Sequence, residues 1–465
     1  MQTKILISIS LFIIMFSQAY SQTEVTLDEA IEIALKKNYN LKMVRYNKQQ
    51  ADSKVDEAFG HALPSINVSG NFTRALDKQN MFFGEMDPTG PFGLPFLLAE
   101  FHKDEPIIQE LLKNSAESSS EPIEIGSDNA FSTRIEVTQT LFDYSVFTGI
   151  GSSKRYSEAA SEALSDEEMN TVMMVKKSYY GVLLAKESVD LIKSSIETAT
   201  KNLNDIKIMF KEGLISEYDL IRTEVQVDNL QPDLLNAETM YKTSLNNFNL
   251  VLGLQESEKV STKETFSDLK ISLDVPEIDG TKQKVVSNNN QLKSLDLQMQ
   301  VQEDFIVLYQ SEFVPRFSLF GNYSYMGNAN DGNEFTNFSS SEVGLRMSIN
   351  LFNGMQSSNR VEQAEIDFMK VETQKTMLES SLINQTDDIL GRMNTAKRKI
   401  ESAEKTVNQA KRGYEIAKMR YDEGIGALLE INDADIALRQ AKLNKIRADY
   451  DFLSAQAELE KISGK

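Results

Sequence analysis

Few residues in this sequence could carry out covalent chemistry. The chain of 465 residues has no cysteine and only two histidines, His61 and His102. This composition excludes disulfides and thiolate nucleophiles and disfavours a histidine-based metal or triad site. No G-x-S-x-G, P-loop or H-E-x-x-H motif is present in the sequence. The sequence therefore predicts no catalytic residue, no cofactor and no metal site.

Acidic side chains are the remaining candidates for function. The chain has 69 Asp and Glu against 49 Lys and Arg, a formal charge of −20, which argues against binding nucleic acid by neutralising its phosphates. Acidic pairs on long helices usually form a solvated face. Glu430 and Asp433 differ from the other acidic pairs because they follow a predicted helix turn. They are three residues apart, so they share one helical face. The alternative, that both face bulk solvent, stays open.

The N-terminal segment is typical of a secretory signal peptide. Lys4 precedes the mostly apolar run 5–16, and Ala19 and Ser21 are small residues at −3 and −1, which predicts a signal peptide at 1–21. A membrane anchor is disfavoured, because so short a run cannot span about 30 Å of hydrocarbon. No later run reaches the roughly 18 apolar residues of a transmembrane helix, so a membrane location would require β-strands.

The helices and strands that must position the acidic residues belong to a sequence unit that is repeated once within the chain. LPSINVSGNF at 63–72 resembles VPRFSLFGNY at 314–323, an offset of 251 residues, whereas LFD at 141–143 resembles LFN at 351–353, an offset of 210. The first copy therefore carries an insertion of about 41 residues within 75–130. The predicted organisation is a signal peptide (1–21), a first repeat (22–255) with a long loop (76–130), a linker or equatorial segment (256–280) and a second repeat (281–465).

Each repeat is predicted to contain a helix, two strands, a very long helix and a return helix. The first helices should end before Pro64 and Pro315, because proline lacks an N–H and biases the preceding residue towards extended backbone. The long helices would be about 100 Å long at 1.5 Å per residue, and stable only against partner helices. Breaks at Gly213 and Gly424 separate them from the return helices. The predicted ranges are 26–60 and 281–312 for the first helices and about 145–211 and 356–422 for the long ones.

Both return helices keep a seven-residue spacing of apolar residues, which is typical of coiled-coil packing. Pro232 should kink or break the first return helix. The alanines of the second return helix predict an unusually close approach to its partner. The first seam consists of Leu220, Val227, Leu234, Tyr241 and Phe248, and the second of Ala434, Ala441, Ala448, Ala455 and Ile462.

The strands alternate apolar and polar residues over about ten residues, the length of a tilted transmembrane strand. A half-buried strand in a soluble sheet has the same period, so the pattern leaves both alternatives open. Four strands cannot close a barrel and an open edge cannot face lipid, so a membrane location requires several chains to share one barrel. The apolar positions are Ile66, Val68, Phe72, Ile135, Val137, Leu141, Phe317, Leu319, Tyr323, Tyr325, Val343, Leu345, Met347, Ile349 and Leu351.

The order of these motifs resembles the TolC family of outer-membrane efflux and secretion channels over essentially the whole mature chain. VTLDEAIEIALKKNYNL (25–41) is similar to the family's opening helix. TLFDYSV (140–146) and NLFNGMQ (350–356) are similar to its strand-to-helix junctions. IMFKEGLISEYDLIRTE (208–224) and MRYDEGIGALLEINDA (419–434) are similar to its helix-to-helix turns. The duplicated order of the motifs is more specific than any one of them.

The resemblance implies an α+β membrane protein in the outer membrane of a Gram-negative bacterium, with a periplasmic extension. It implies a homotrimer with a twelve-strand barrel, four strands per chain, continued by a long α-helical coiled-coil tunnel. It also implies docking to a periplasmic adaptor (membrane fusion) protein and an inner-membrane transporter, with the turns at Gly213 and Gly424 facing the adaptor. The family's two acidic residues at the narrow periplasmic end correspond here to Glu430 and Asp433, as a constriction that sets selectivity.

The resemblance also implies a gate. Its residues correspond to Tyr421, just before the second turn, and Asp219, six residues after the first turn glycine. The family's gate arginine falls on Gly426, so part of that network is missing here. By the family's topology the loop 76–130 lies outside the cell or folds over the barrel mouth, with a disordered tether as the alternative.

Two function classes therefore compete, and a third has no residues in its favour. The first is the channel-tunnel of a tripartite efflux pump or type I secretion system, which exports small molecules or proteins. The second is a secreted soluble coiled-coil scaffold protein, whose strands would form a small capping sheet. The third is a secreted hydrolase. Trimers that require detergent would support the channel, and solubility of the signal-less chain without detergent would support the scaffold.

Overall fold

The computed structural model describes residues 23–81, 106, 110, 123–269, 271–330 and 334–464. The predicted signal peptide and most of the long loop lie outside these residues. The elements in chain order are β1 (Thr23–Val25), α1 (Leu27–Lys37), α2 (Tyr39–Gly60), β2 (Ser65–Arg74), β3 (Gln79–Met81), β4 (Ile123–Ile125), β5 (Asn129–Phe142), α3 (Tyr144–Lys211), α4 (Glu217–Leu252), β6 (Val260–Thr262), α5 (Ile278–Asn288), α6 (Asn290–Gln310), β7 (Arg316–Ala329), β8 (Thr336–Ser348), α7 (Gln356–Asp422) and α8 (Leu428–Ile462).

The chain forms two compact units, a helical unit and a sheet unit. The described residues of the helical unit lie within Met1–Glu57, Thr148–Tyr309 and Met355–Lys465, and those of the sheet unit within Ala58–Phe147 and Gln310–Gly354. Within the described residues, no helix is both long and apolar enough to cross a membrane.

The sheet unit contains the four predicted strands as one antiparallel sheet in the order β2-β5-β7-β8. Its register places apolar residues opposite one another, with Ile66 beside Val137 and Leu319 beside Leu345. These side chains are exposed in the single chain, and Val343 on the edge strand β8 is 81% exposed. Among the residues that the structure describes, β2 and β8 each have one neighbouring strand, so both edges of the sheet are open.

The other face of the sheet is polar. One row across the four strands pairs Asn67 with Glu136, Glu136 with Asn322, and Asn322 with Glu342. The Asn322 amide donates a hydrogen bond to the Glu342 carboxylate at 3.2 Å. A short antiparallel pair, β3 with β4, lies within the long loop and was not predicted from the sequence.

The first helix of each predicted repeat is divided in two, so the prediction of single helices over 26–60 and 281–312 was wrong. The first divides at Asn38 and the second at Asn289, where the backbone leaves the helical region. At the first joint, the Asn38 side-chain oxygen accepts from the N–H of Leu41 at 3.0 Å, and its amide donates to the Val251 carbonyl at 2.7 Å. An asparagine that caps the next helix in this way competes with continuous helix.

The second joint repeats this arrangement. The Asn289 oxygen accepts from the N–H of Leu292 at 3.2 Å, and its amide donates to the Ile462 carbonyl at 3.1 Å. In both joints the asparagine thus caps one helix and satisfies the carbonyl end of a return helix. Gly464, two residues after Ile462, has a φ of 66°, and a Cβ at this glycine would lie 2.7 Å from the Asn288 carbonyl oxygen. Only glycine fits this close left-handed position.

The two long helices have the predicted extents, Tyr144–Lys211 and Gln356–Asp422, with 68 and 67 residues. The first return helix runs without interruption through Pro232, so of the predicted kink or break, the break was wrong. Proline removes one hydrogen bond, the one to the carbonyl of Asp228. Both Pro232 and Asp228 are exposed, so water can satisfy that carbonyl while Leu230 and Ala237 hold the helix in the core.

The alanine seam packs as predicted. Ala441, Ala448, Ala455 and Ile462 are buried, and Ala434 is half-buried. Cα atoms of α7 and α8 approach within 8 Å along much of their length, whereas those of α3 and α4 hardly do. The larger side chains of the first seam, of which Phe248 is fully buried, hold α3 and α4 farther apart than alanines hold α7 and α8.

Candidate functional site

The two helix turns have the same backbone geometry. At the first, Gly213 has a φ of 72°, its N–H donates to the Phe210 carbonyl at 3.0 Å, and the Leu214 N–H donates to the Met209 carbonyl at 2.9 Å. At the second, Gly424 has a φ of 77°, and the same two bonds run from its own N–H to Tyr421 and from the next N–H to Arg420, both at 2.9 Å. This is the Schellman pattern, in which a left-handed glycine satisfies the last carbonyls of a helix.

The helices after the turns begin differently. Ser216 caps α4, since its hydroxyl oxygen accepts from the Asp219 N–H at 3.2 Å and its O–H donates to the Asp219 carboxylate at 2.6 Å. The predicted gate residue Asp219 is therefore held against Ser216 at the start of its own helix. Ala427 precedes α8 and provides no side-chain cap, and Glu430 is the acidic residue of the first turn. A carboxylate at that position interacts favourably with the N-terminal end of a helix dipole.

Glu430 and Asp433 share an exposed face, as their spacing predicted, with the buried Ile431 and Asn432 between them. Their surroundings differ. The carboxylate of Glu430 lies 3.8 Å from the guanidinium of Arg420, and both side chains are about half-exposed. Asp433 has no hydrogen-bond or ion-pair partner among the residues that the structure describes. The two predicted constriction residues are therefore adjacent but electrostatically unequal.

Tyr421 connects the ends of two helices. Its hydroxyl lies 3.4 Å from the sulfur of Met209 on α3, in hydrogen-bond geometry. Burial raises the pKa of Tyr421, and the nearby carboxylates of Asp205 and Asp219 raise it further. The structure thus brings the two predicted gate residues, Tyr421 and Asp219, within electrostatic range of each other without a direct hydrogen bond among the described contacts.

A groove of about 530 Å³ runs beside Tyr421 between α3, α7 and α8. Burial raises the pKa of Tyr414, another lining residue, and the carboxylates of Asp435 and Asp422 add to this effect. The groove is lined by polar and charged side chains and a few apolar ones: Glu197, Thr198, Lys201, Asn202, Asp205, Ile206, Tyr414, Lys418, Tyr421, Asp422, Leu428 and Ile431.

Gly426 has a local steric reason to be glycine. A Cβ at this position would lie 2.9 Å from the Tyr421 nitrogen, closer than real Cβ atoms approach, and 3.0 Å from the Arg420 Cβ, tighter than most real contacts. The backbone of this turn therefore has no room for the arginine that the resemblance places there. The residues that sequence reasoning missed are Arg420 and Met209. Both approach their partners only across a turn or between helices, where no sequence spacing marks the contact.

Three carboxylates of the helical unit are buried or half-buried. Asp449 on α8 is 4% exposed, and its carboxylate accepts a hydrogen bond from the Lys445 ammonium at 3.3 Å. Burial raises the pKa of Asp449, and the same cause raises the pKa of Asp435 and of Glu187. These carboxylates are candidates for a pH response of stability, because burial disfavours the ionised form.

One protein-family model matches most of this chain. The model of the outer membrane efflux protein family matches residues 30–254 and 282–465. The chain belongs to the outer membrane efflux protein family. It is therefore an outer-membrane protein of Gram-negative type, and the family resemblance predicted from its motifs is confirmed.

Named relatives are outer-membrane and secretion proteins. The chain is 22% identical over 339 residues to the outer membrane protein TolC of Vibrio cholerae, covering 72% of this chain and 76% of that protein. It is 22% identical over 354 residues to the alkaline protease secretion protein AprF of Pseudomonas aeruginosa, covering 72% and 70%. Their names place the first in the outer membrane and the second in the secretion of a protease.

Solved structures share the fold. The outer-membrane channel CmeC of Campylobacter jejuni superposes with a TM-score of 0.72 at 17% identity, covering 94% of this chain and 85% of that one. The outer-membrane channel MtrE of Neisseria gonorrhoeae, in its open state, gives a TM-score of 0.70 at 13% identity, covering 94% and 88%. The mostly helical architecture with one four-stranded sheet is therefore the fold of these solved structures.

Proposed function

We propose that three copies of this chain form the outer-membrane channel-tunnel of a tripartite efflux pump or a type I secretion system. Each chain contributes four strands to a twelve-strand barrel, and the helices form a coiled-coil tunnel into the periplasm. The observation that carries this proposal is the four-stranded sheet, with one exposed apolar face and two open edges. The exported cargo is a small molecule or a protein, received from the periplasm or an inner-membrane transporter.

The strand order supports closure by further copies. The four strands alternate in direction, so β8 of one chain and β2 of the next would meet antiparallel and continue the same pattern. Such closure removes both open edges, which cannot face lipid because their N–H and C=O groups would be unsatisfied. Strands of 10 to 14 residues suit a tilted transmembrane strand of about 9–11 residues with ends outside the hydrocarbon.

The duplicated organisation, 22–255 and 281–465 joined by 256–280, is part of the same proposal. The asparagine joints support it, since Asn38 and Asn289 make matching bonds to the ends of α4 and α8. The turns at Gly213 and Gly424 support it as well, with the same two hydrogen bonds each.

The turns at Gly213 and Gly424 are the proposed docking end for a periplasmic adaptor protein, because they close helices of roughly 100 Å. Glu430 and Asp433 of three chains would line the constriction; we call these six carboxylates the acidic ring. Tyr421 contributes to the gate through its contact with Met209 on the neighbouring helix. The place of Asp219 in the gate rests on its proximity to Tyr421, which raises the pKa of that tyrosine.

The mass of the detergent-solubilised complex tests the proposal. Three chains per particle are expected, with no stable monomer, because a lone sheet would leave its edges unpaired. A stable monomer in detergent would refute the channel. A signal-less chain that stays soluble without detergent would favour a secreted coiled-coil scaffold instead.

A further inference from the structure

Arg420 is a basic residue beside Glu430, one of the two predicted constriction residues. It lies in the last turn of α7, and its guanidinium is 3.8 Å from the carboxylate of Glu430 at the start of α8. Ten residues separate the two in sequence, so only the turn at Gly424 brings them together. Asp433, one helical turn further along the exposed face, has no partner in the described part of the chain.

The backbone of Arg420 is held in place. Its carbonyl oxygen accepts hydrogen bonds from the N–H groups of Ile425 and Gly426, both at 2.9 Å. A Cβ at Gly426 would lie 3.0 Å from the Arg420 Cβ, so the glycine leaves the space that the arginine side chain needs. The turn thus fixes where the arginine leaves the backbone, and the ion pair with Glu430 orients its charged end.

We propose that Arg420 is a specificity-determining residue that sets the charge of the acidic ring. The inference rests on the proposed function, in which Glu430 and Asp433 line the constriction. Each chain then brings one cation and two carboxylates to the ring, a net charge of −1 per chain. Glu430 is neutralised by its arginine, and Asp433 carries the free charge that favours cations. Without Arg420 the net charge per chain becomes −2.

The test is the reversal potential of single channels in a planar bilayer under a potassium chloride gradient. Arg420→Gln should raise the cation-to-anion permeability ratio by about twofold or more, because acidic rings select cations through their net charge. Glu430→Gln should lower the ratio, since it leaves Arg420 unpaired and brings the net charge per chain to zero. The double variant returns the charge to −1 per chain and should restore the wild-type ratio. Arg420→Lys should keep it.

Arg412→Gln is the matched control. Arg412 lies on the same helix, two turns before Arg420, and pairs with Glu415 at 3.7 Å. Its loss changes the total charge by the same amount and should leave the ratio unchanged. Unchanged ratios in both Arg420→Gln and Glu430→Gln channels would overturn the inference. Absence of any channels from the wild-type protein would instead overturn the proposed function, so the two failures are distinguishable.

Discussion

Replacing Asn289 by alanine should destabilise the helical unit by about 2 to 4 kcal/mol per chain. The asparagine is 1% exposed. Its oxygen accepts from the N–H groups of Gln291 and Leu292 at 3.0 and 3.2 Å, and its amide donates to the Ile462 carbonyl at 3.1 Å. Loss of the helix cap costs about 1 kcal/mol, and leaving the buried Ile462 carbonyl unsatisfied adds about 1 to 3 kcal/mol.

The equivalent change at the first joint should cost about half as much. Asn38 is half-buried and makes two of these bonds, to Leu41 and Val251, so water can partly replace its amide. Asn408→Ala is the control, because Asn408 is an exposed asparagine in the middle of α7. Exposed substitutions of this kind usually change stability by less than about 0.5 kcal/mol.

The assay is urea unfolding in detergent at fixed chain concentration, followed by helical circular dichroism. Free energies are compared from the midpoints at a common slope, and equal chain concentration removes the effect of assembly on the midpoint. If the Asn289→Ala protein unfolds at the same urea concentration as the Asn408→Ala protein, the joint does not stabilise the helical unit and the reasoning fails.

Three further predictions concern the turns and the buried acids. The Glu430→Gln/Asp433→Asn double variant should lose cation preference and divalent block in planar bilayers while keeping its oligomeric mass; unchanged selectivity and block would place both side chains away from the pore. Asp449→Asn should raise stability at neutral pH, because the raised pKa of Asp449 means that its ionised form is destabilising. The gain should shrink as the pH falls through about 4, the usual pKa of an unfolded Asp, and vanish near about pH 2, where the carboxyl is protonated in both folded and unfolded chains; a gain that is independent of pH would exclude this cause. Cysteines introduced at Lys211 and Glu423, beside the turn glycines, should crosslink to a periplasmic adaptor in cells, and labelling only from outside intact cells would reverse the orientation.

The elements of this chain were readable from the sequence because their signals are local. Three signals each reflect the geometry of one backbone segment. They are the absence of proline over 67 residues for a long helix, an apolar–polar alternation with a period of two for a strand, and an alanine at every seventh residue for a helix-packing seam. The helix Gln356–Asp422, the strand β8 and the buried seam through Ala448 follow from such signals. The same holds for the turns at Gly213 and Gly424, since glycine is the residue that most often takes the left-handed position at the end of a helix.

The local signals failed where a distant segment decides the outcome. From the sequence, Asn38 is predicted to be an ordinary helix residue. In the structure its amide donates a hydrogen bond to the carbonyl of Val251, more than two hundred residues away along the chain. From the sequence, Pro232 is predicted to break the helix. In the structure Pro232 is exposed, so water can satisfy the carbonyl that loses its hydrogen bond, and packing on either side keeps the helix continuous. In both cases tertiary contacts outweigh a preference of about 1 to 3 kcal/mol for the isolated segment.

In the candidate site, too, some features follow from local sequence and others depend on tertiary contacts. The sequence by itself determined that Glu430 and Asp433 share a helical face after a glycine turn, because that follows from helical spacing. Only the tertiary structure decided that Arg420 faces one of them and that Tyr421 reaches Met209. Electrostatic pairing depends on distances of a few ångströms between side chains. Those distances depend on how a turn folds two helices together, so they cannot be predicted from the spacing of residues along the chain.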